Sequence, residues 1–230
     1  MLSKKREMKK QNIKQIFNNL DKWVSLHGTK KYIPYDFEEN IDDEYNISEN
    51  FGIQQVREEI YEFTKVLLQN KTDIVLEIGL GYYGSTHFLW RELFNTVITI
   101  EYQKDRVFAF RENTNKFYGK FILDDSKSKF IFGKSHDPSS LEKLVNIIKN
   151  KKLDLLFIDG DHTYKSVLAD YLLYKDFVCE GGIIAFHDTR NTIKNSGVKK
   201  CLDKIITIDK NIKLKNIFFS KTIGITYYIK

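Results

Sequence analysis

Apolar positions change their spacing along this chain, and each change marks a different kind of element. Between residues 10 and 27 they fall at Ile13, Ile16, Phe17, Leu20, Trp23 and Val24, with His27 continuing the row. Steps of three and four residues predict an amphipathic helix. A second helix is predicted over about 53–69, with Val56, Ile60, Phe63, Val66 and Leu67 on one side. From Asp73 onward short apolar runs alternate with helical patterns. Strands are predicted at 73–78, 96–101, 129–133, 153–158 and 182–187, and helices near 85–93, 104–116, 139–149, 163–176 and 197–206. The runs Ile74–Ile78, Leu153–Ile158 and Ile183–Phe186 are almost wholly apolar. A strand needs that composition when both faces of its sheet are covered, so an α/β fold with parallel strands is expected. Ile212–Phe219 and Gly224–Ile229 then read as two β segments joined by a short link. Such a terminal hairpin brings in at least one antiparallel strand. Residues 28–50 fit neither pattern; Gly28, Pro34 and the acidic stretch from Asp36 to Asn50 predict a loop or lid.

The 230 residues suit one α/β domain with an extension, divided at residues 1–52 and 53–230. A hydrophobic content of 42% with 14% aromatics excludes a disordered chain. The net charge of +6 points to nucleic acid until it is located. Residues 1–31 hold nine lysines and arginines against two acids, which leaves the rest of the chain close to neutral. The basic start therefore reads as a solvated helix face or a contact for an anionic partner. Cys179 and Cys201 lack metal-ligand spacing, the lysine-rich start has no apolar stretch behind it, and no apolar run approaches a membrane span. A reducing cytoplasm is the expected location.

The strand ends carry the candidate chemistry, because ligands of open α/β sheets lie beyond the carboxyl ends of the strands. The first strand runs into Glu77-Ile78-Gly79-Leu80-Gly81-Tyr82-Tyr83-Gly84-Ser85. A glycine turn there lets backbone N–H groups approach a nucleotide. Gly79, Gly81 and Gly84 match the dinucleotide pattern G-x-G-x-x-G to the letter, which keeps an NAD-linked oxidoreductase as one reading. The second strand ends at Glu101, placed to accept hydrogen bonds from ribose hydroxyls. Ser135 and His136 follow the third strand, before Asp137 at a helix N-cap and Pro138 in its first turn; they either line an adenine pocket or hold the turn. The fourth strand ends in Asp159-Gly160-Asp161-His162 and the fifth in His187-Asp188-Thr189. Carboxylates such as Asp159 and Asp188 suit a hard cation, Mg²⁺, Mn²⁺ or Ca²⁺. His162 is spaced to take a proton from a hydroxyl beside that ion.

Together Asp73–Thr86, Leu153–Tyr164 and Gly181–Asp188 resemble class I S-adenosylmethionine (SAM) methyltransferases. The nearest subgroup is that of the macrocin- and mycinamicin-type sugar O-methyltransferases and cephalosporin-hydroxylase-like proteins, with catechol O-methyltransferases more distant. The resemblance covers about residues 50–230. It implies a Rossmann-like, seven-stranded, mostly parallel sheet with helices on both faces and a C-terminal antiparallel hairpin. It also implies that Glu77, Gly79, Gly81 and Ser85 hold SAM, with Glu101 at the ribose and Ser135 and His136 at the adenine. Asp159 would border the cofactor and, with Asp188 and its neighbour His187, bind the metal; His162 would be the base. Two departures stand out: Tyr83 occupies the place of the family's usual next glycine, and His187 or Thr189 replaces the usual partner of the second metal ligand. The expected reaction is methyl transfer to a hydroxyl of a small molecule or carbohydrate. Amino-methylation of nucleic acid lacks its Pro-Pro strand end, since Pro34 and Pro138 are the only prolines, whereas RNA ribose methylation through the basic N-terminus stays open. So do a binding module without activity and a homo-oligomer. Tyr32, Tyr35, Phe37, Tyr45 and Phe51 read as an aromatic wall over the acceptor or as lid packing.

Overall fold

The computed structural model describes residues 2–27, 31–33, 51–118, 126–190, 197–219 and 222–230, with side chains from residue 12 onward. Helices α1 (Leu2–Val24) and α2 (Arg57–Leu67) precede the sheet. Then come β1 (Ile74–Ile78), α3 (Ser85–Leu93), β2 (Thr96–Glu101), α4 (Lys104–Tyr118), β3 (Ser128–Phe132), α5 (Pro138–Ile148) and β4 (Leu153–Ile158). The chain ends with α6 (Tyr164–Tyr174), β5 (Val178–His187), α7 (Val198–Ile208), β6 (Lys215–Ile217) and β7 (Ile225–Ile229).

The seven strands form one sheet in the order β3-β2-β1-β4-β5-β7-β6. The first five are parallel, whereas β7 pairs antiparallel with both β5 and β6. This is the Rossmann-like sheet with a C-terminal hairpin that the resemblance implied. The alternation of side chains along each strand divides the core into two layers. Val75, Val97, Leu155, Phe157, Ile183 and Ala185 face the layer packed by α1, α2, α3 and α4. Leu76, Ile98, Leu156, Ile158, Ile184 and Phe186 face the layer packed by α5, α6 and α7. Largely apolar strands thus supply both layers at once.

Several boundaries move. The second helix begins at Arg57, not near 53, because residues 52–55 bend and Val56, in extended backbone, bridges to Ile33. The fifth strand begins four residues early, at Val178; a register shift between Leu153 and Leu155 of β4 absorbs the glycines at 181 and 182. The sixth shrinks to Lys215–Ile217. The predicted lid lies outside the described residues at 28–30 and 34–50. Asp137 does precede α5, yet its side chain makes no capping bond.

The N-terminal helix is no loose appendage. Trp23 is fully buried and stacks on Phe88 of α3 at 4.4 Å between ring centroids. Its Nε1 donates to Ser85 Oγ at 3.0 Å, and Ser85 in turn donates to the Gly52 carbonyl. Burying an indole of this size stabilises by roughly 2–3 kcal/mol. Asp21 holds Arg57 at 2.8 Å and accepts from the Tyr32 hydroxyl at 2.7 Å, which ties α1 to α2. No described helix is long and apolar enough to cross a membrane.

Candidate active site

β1 delivers the chain into a turn whose glycines are needed for different reasons. Gly79 has φ of +91°, and a Cβ there would collide with the Asp159 carbonyl, so the turn lies directly on the end of β4. Gly84 has φ of +69° and sits at the N-cap of α3, where a Cβ would strike the Phe110 ring. The third glycine of the dinucleotide pattern is therefore set by left-handed backbone and helix packing. Glu101 supports the turn from β2: its carboxylate accepts from Leu80 N–H at 3.0 Å and Gln103 N–H at 2.8 Å.

Two residues expected at the cofactor are placed elsewhere. Glu77 lies under the turn, 1% exposed, accepting from Trp90 Nε1 at 2.9 Å and Thr99 Oγ1 at 2.7 Å. It belongs to the α3 face of the sheet because its position in β1 alternates with Leu76 and Ile78. Burial pushes its carboxyl up to about 8 despite those two donors. Ser85 is spent on Trp23 and Gly52, as described. Both contribute to the shape of the turn from behind.

The ends of β4 and β5 bring together the remaining predicted residues. Asp159, His162 and Asp188 each offer a ligand atom within 4.8 Å of the others. His162 Nε2 lies 2.9 Å from Asp188 Oδ2, and His187 Nδ1 lies 3.0 Å from Asp188 Oδ2 and 3.2 Å from Asp159 Oδ1. The Asp188 charge raises His162 to about 9, against the effect of burial. Burial also opposes a charge on His187, yet Asp159 and Asp188 raise it well above the usual range. Asp188 would be raised by burial, but the two imidazoles beside it hold it well below. The sequence reading put His187 among the metal ligands; here it is 2% exposed on its side chain and stands between the carboxylates as their counter-charge. Asp188 has φ of +54°, a left-handed conformation that Asp tolerates better than most residues.

Ser135 is half-buried and His136 exposed, in the turn between β3 and α5. Tyr174 of α6 donates its hydroxyl to the Ser135 carbonyl. Asp170, one turn earlier, is 1% exposed, and burial lifts it to about 6 even though Ser135 bonds to it. A cavity of about 440 Å³ opens beside Thr189 and Arg190, with Leu202, Ile206 and Phe218 among its walls. A smaller one of about 200 Å³, near Tyr171 and Lys230, lies at the opposite end of the sheet from this chemistry.

Sequence reasoning missed Gln55. This side chain is fully buried and donates from Nε2 to Asp159 Oδ2 at 3.0 Å. The only signal was a polar pair, Gln54-Gln55, interrupting the apolar positions Phe51, Ile53 and Val56. His27 was read only as an apolar-face residue; it stacks on Tyr83 of the glycine turn at 4.8 Å. Of the aromatic wall, Tyr32 is engaged with Asp21, and Phe51 packs with Ile33, Val56 and Ile223. Tyr35, Phe37 and Tyr45 lie outside the described residues.

Sheet order and the glycine turn are those of the Rossmann-like fold shared by methyltransferases. Residues 76–189, just under half of the chain, match the family described as "Methyltransferase domain". The chain is 34% identical over 95 residues to uncharacterized protein R132 of Acanthamoeba polyphaga mimivirus. That match covers 41% of this chain and 42% of the relative, less than half of its length. Its fold is similar to that of a putative caffeoyl-CoA O-methyltransferase from Staphylococcus aureus, with a TM-score of 0.60 at 15% identity over 77% of this chain and 85% of that one. It is also similar to MycE of the mycinamycin biosynthetic pathway, solved with Mg, S-adenosylhomocysteine and mycinamycin VI, with a TM-score of 0.51 at 17% identity over 74% of this chain and 48% of that one. rRNA methylases share the fold as well, so this likeness does not select an acceptor. The NAD-linked reading loses its support, because an antiparallel β7 between β5 and β6 departs from the six-stranded parallel order of dinucleotide-binding sheets.

Proposed function

We propose that this protein transfers the methyl group of SAM to a hydroxyl of a small molecule or sugar. One observation carries the reading: the glycine turn lies so close to β4 that a Cβ at Gly79 would collide with Asp159. The turn assigned to the methyl donor thus abuts the strand end that carries Asp159 and His162. Glu101 is the proposed ribose acceptor, and Ser135 and His136 border the adenine. Methyl transfer would break the S–CH₃ bond as the O–CH₃ bond forms and release S-adenosylhomocysteine. The acceptor proton would pass to the neutral form of His162, which the Asp188 charge confines to pH above about 9 until a cation on Asp188 offsets that charge. Alignment of donor and acceptor and exclusion of water supply the rest of the acceleration.

Donor atoms within 4.8 Å of one another fit ligands that stand about 2.0–2.6 Å from a shared hard cation. Asp159 and Asp188 are its proposed ligands, for Mg²⁺ or alternatively Mn²⁺ or Ca²⁺. Once bound, the ion would polarise the acceptor hydroxyl and lower its pKa. The cavity beside Thr189 and Arg190 is the proposed berth for the body of the acceptor. Its apolar walls suit a ring or chain, and Arg190 a polar substituent.

The test is a calorimetric SAM titration followed by a coupled assay for S-adenosylhomocysteine over a panel of sugars, phenols and RNA. His162→Ala is expected to keep SAM affinity and lose about 10²–10⁴-fold in turnover. Unchanged turnover with SAM bound removes His162 as the base. Failure to bind SAM removes the whole reading, and turnover on RNA alone replaces the acceptor.

A further inference from the structure

We propose that Gln55 is a positioning residue of this site, holding the Asp159 carboxylate in its working orientation from the N-terminal side. The inference rests on Asp159 serving the acceptor end of the site. Each of its two oxygens has its own partner. Gln55 Nε2 donates to Oδ2 at 3.0 Å, and His187 Nδ1 lies 3.2 Å from Oδ1. A carboxylate held at one oxygen still turns about its Cβ–Cγ bond; held at both, it does not. Asp159 itself stays 18% exposed on its side chain, so the oriented group remains open to the cleft.

The position of Gln55 is itself fixed by backbone pairing. Ile33 N–H donates to the Gln55 carbonyl at 3.2 Å, Ile53 N–H to the Lys31 carbonyl at 3.1 Å, and Val56 bridges to Ile33. The preceding residue reaches the other half of the site, since Gln54 Oε1 would lie 3.2 Å from a Cβ at Gly81 in the glycine turn. Adjacent residues of one short segment therefore touch both the cofactor turn and Asp159.

Packing alone does not account for a glutamine here. Its side chain is fully buried, and its Oε1 has no hydrogen-bond partner among the described residues. A buried amide with an unmet acceptor is unfavourable where an apolar chain of equal length would fill the same space. The donor on Asp159 is what the amide supplies and a methionine would not.

The test compares wild type with Gln55→Met, which keeps length and loses the donor, and with Gln55→Leu, which loses the donor in a shorter apolar side chain. Crystal structures give the orientation of Asp159, a Mn²⁺ titration its use as a ligand, and steady-state assays the turnover. The expected result is a rotated Asp159 in the Gln55→Met variant, with Mn²⁺ binding weakened about 10-fold. kcat should fall while the KM for SAM holds. Should Gln55→Met fail to fold, the same readouts on Gln55→Leu decide. Asp159 keeping its wild-type orientation overturns the proposal, whatever happens to the metal. A wild type that binds no Mn²⁺, with Asp159 turned in the variant, removes the metal from the proposed function and leaves the positioning role standing.

Discussion

Two pairs of carboxylates stand at neighbouring strand ends of one sheet, and they meet their charge in opposite ways. Glu77 and Glu101, on β1 and β2, are hydrogen-bonded by neutral donors, an indole, a hydroxyl and two backbone N–H groups, with Arg106 standing 3.8 Å from Glu101. Asp159 and Asp188, on β4 and β5, are satisfied largely by imidazoles that carry exchangeable protons. Glu77 is finished as architecture, whereas Glu101 supports the turn and is also the proposed ribose acceptor. The second pair keeps Asp159 and His162 partly open to solvent and keeps charges that a ligand can replace. Acidic strand ends are thus not equivalent, and the donors around each one separate support from chemistry.

The sharpest way to break this contrast is Asp188→Asn. Asn tolerates the left-handed φ of +54° as Asp does, so the change isolates the charge. Leaving His162 and His187 without that counter-charge should cost about 3 kcal/mol in urea unfolding at pH 7. Methyl transfer should fall by at least about 100-fold. Full stability in the variant would mean that the β5 end is ordinary surface.

Glu77 predicts the opposite behaviour. Its folded pKa of about 8 lies above its ordinary value of 4.5, so between those pH values the folded protein keeps a proton that the unfolded chain has released. Its contribution is complete below about pH 4.5 and is lost as pH rises through about 8, by about 1.4 kcal/mol per pH unit. Glu77→Gln should flatten that slope in unfolding curves measured from pH 5 to 9, with SAM affinity unchanged. An identical slope in the variant would move Glu77 out of the finished half.

The smallest expected effect comes from Ser85→Ala. Trp23 Nε1 loses its acceptor inside the core, which should cost about 1–2 kcal/mol. SAM affinity, measured by calorimetry, should stay within threefold of wild type. A large loss of affinity would return Ser85 to the cofactor and blur the two halves.

Much of this was legible along the chain. Apolar runs too continuous for a one-faced sheet marked β1, β4 and β5, and the strand-end rule pointed to Asp159, His162 and Asp188 as candidates, which the fold gathers within 4.8 Å of one another. The terminal hairpin was readable because period and turn residues are local signals. What escaped was non-local. Ser85 read as a cofactor contact, since nothing nearby announced that Trp23, 62 residues earlier, would claim its hydroxyl. Gln55 was absorbed into a helix pattern that begins only at Arg57.

The sequence by itself determined the kind of sheet, the turn and the set of acids and histidines at its edge, because backbone geometry and side-chain alternation follow from neighbouring residues. Only the tertiary structure decided which of those groups are spent on the core and which keep an open face. That division depends on donors brought from 13 to 104 residues away in the chain, Trp90 for Glu77 and Gln55 for Asp159. A carboxylate's role is set by what surrounds it in space, and no local pattern records that.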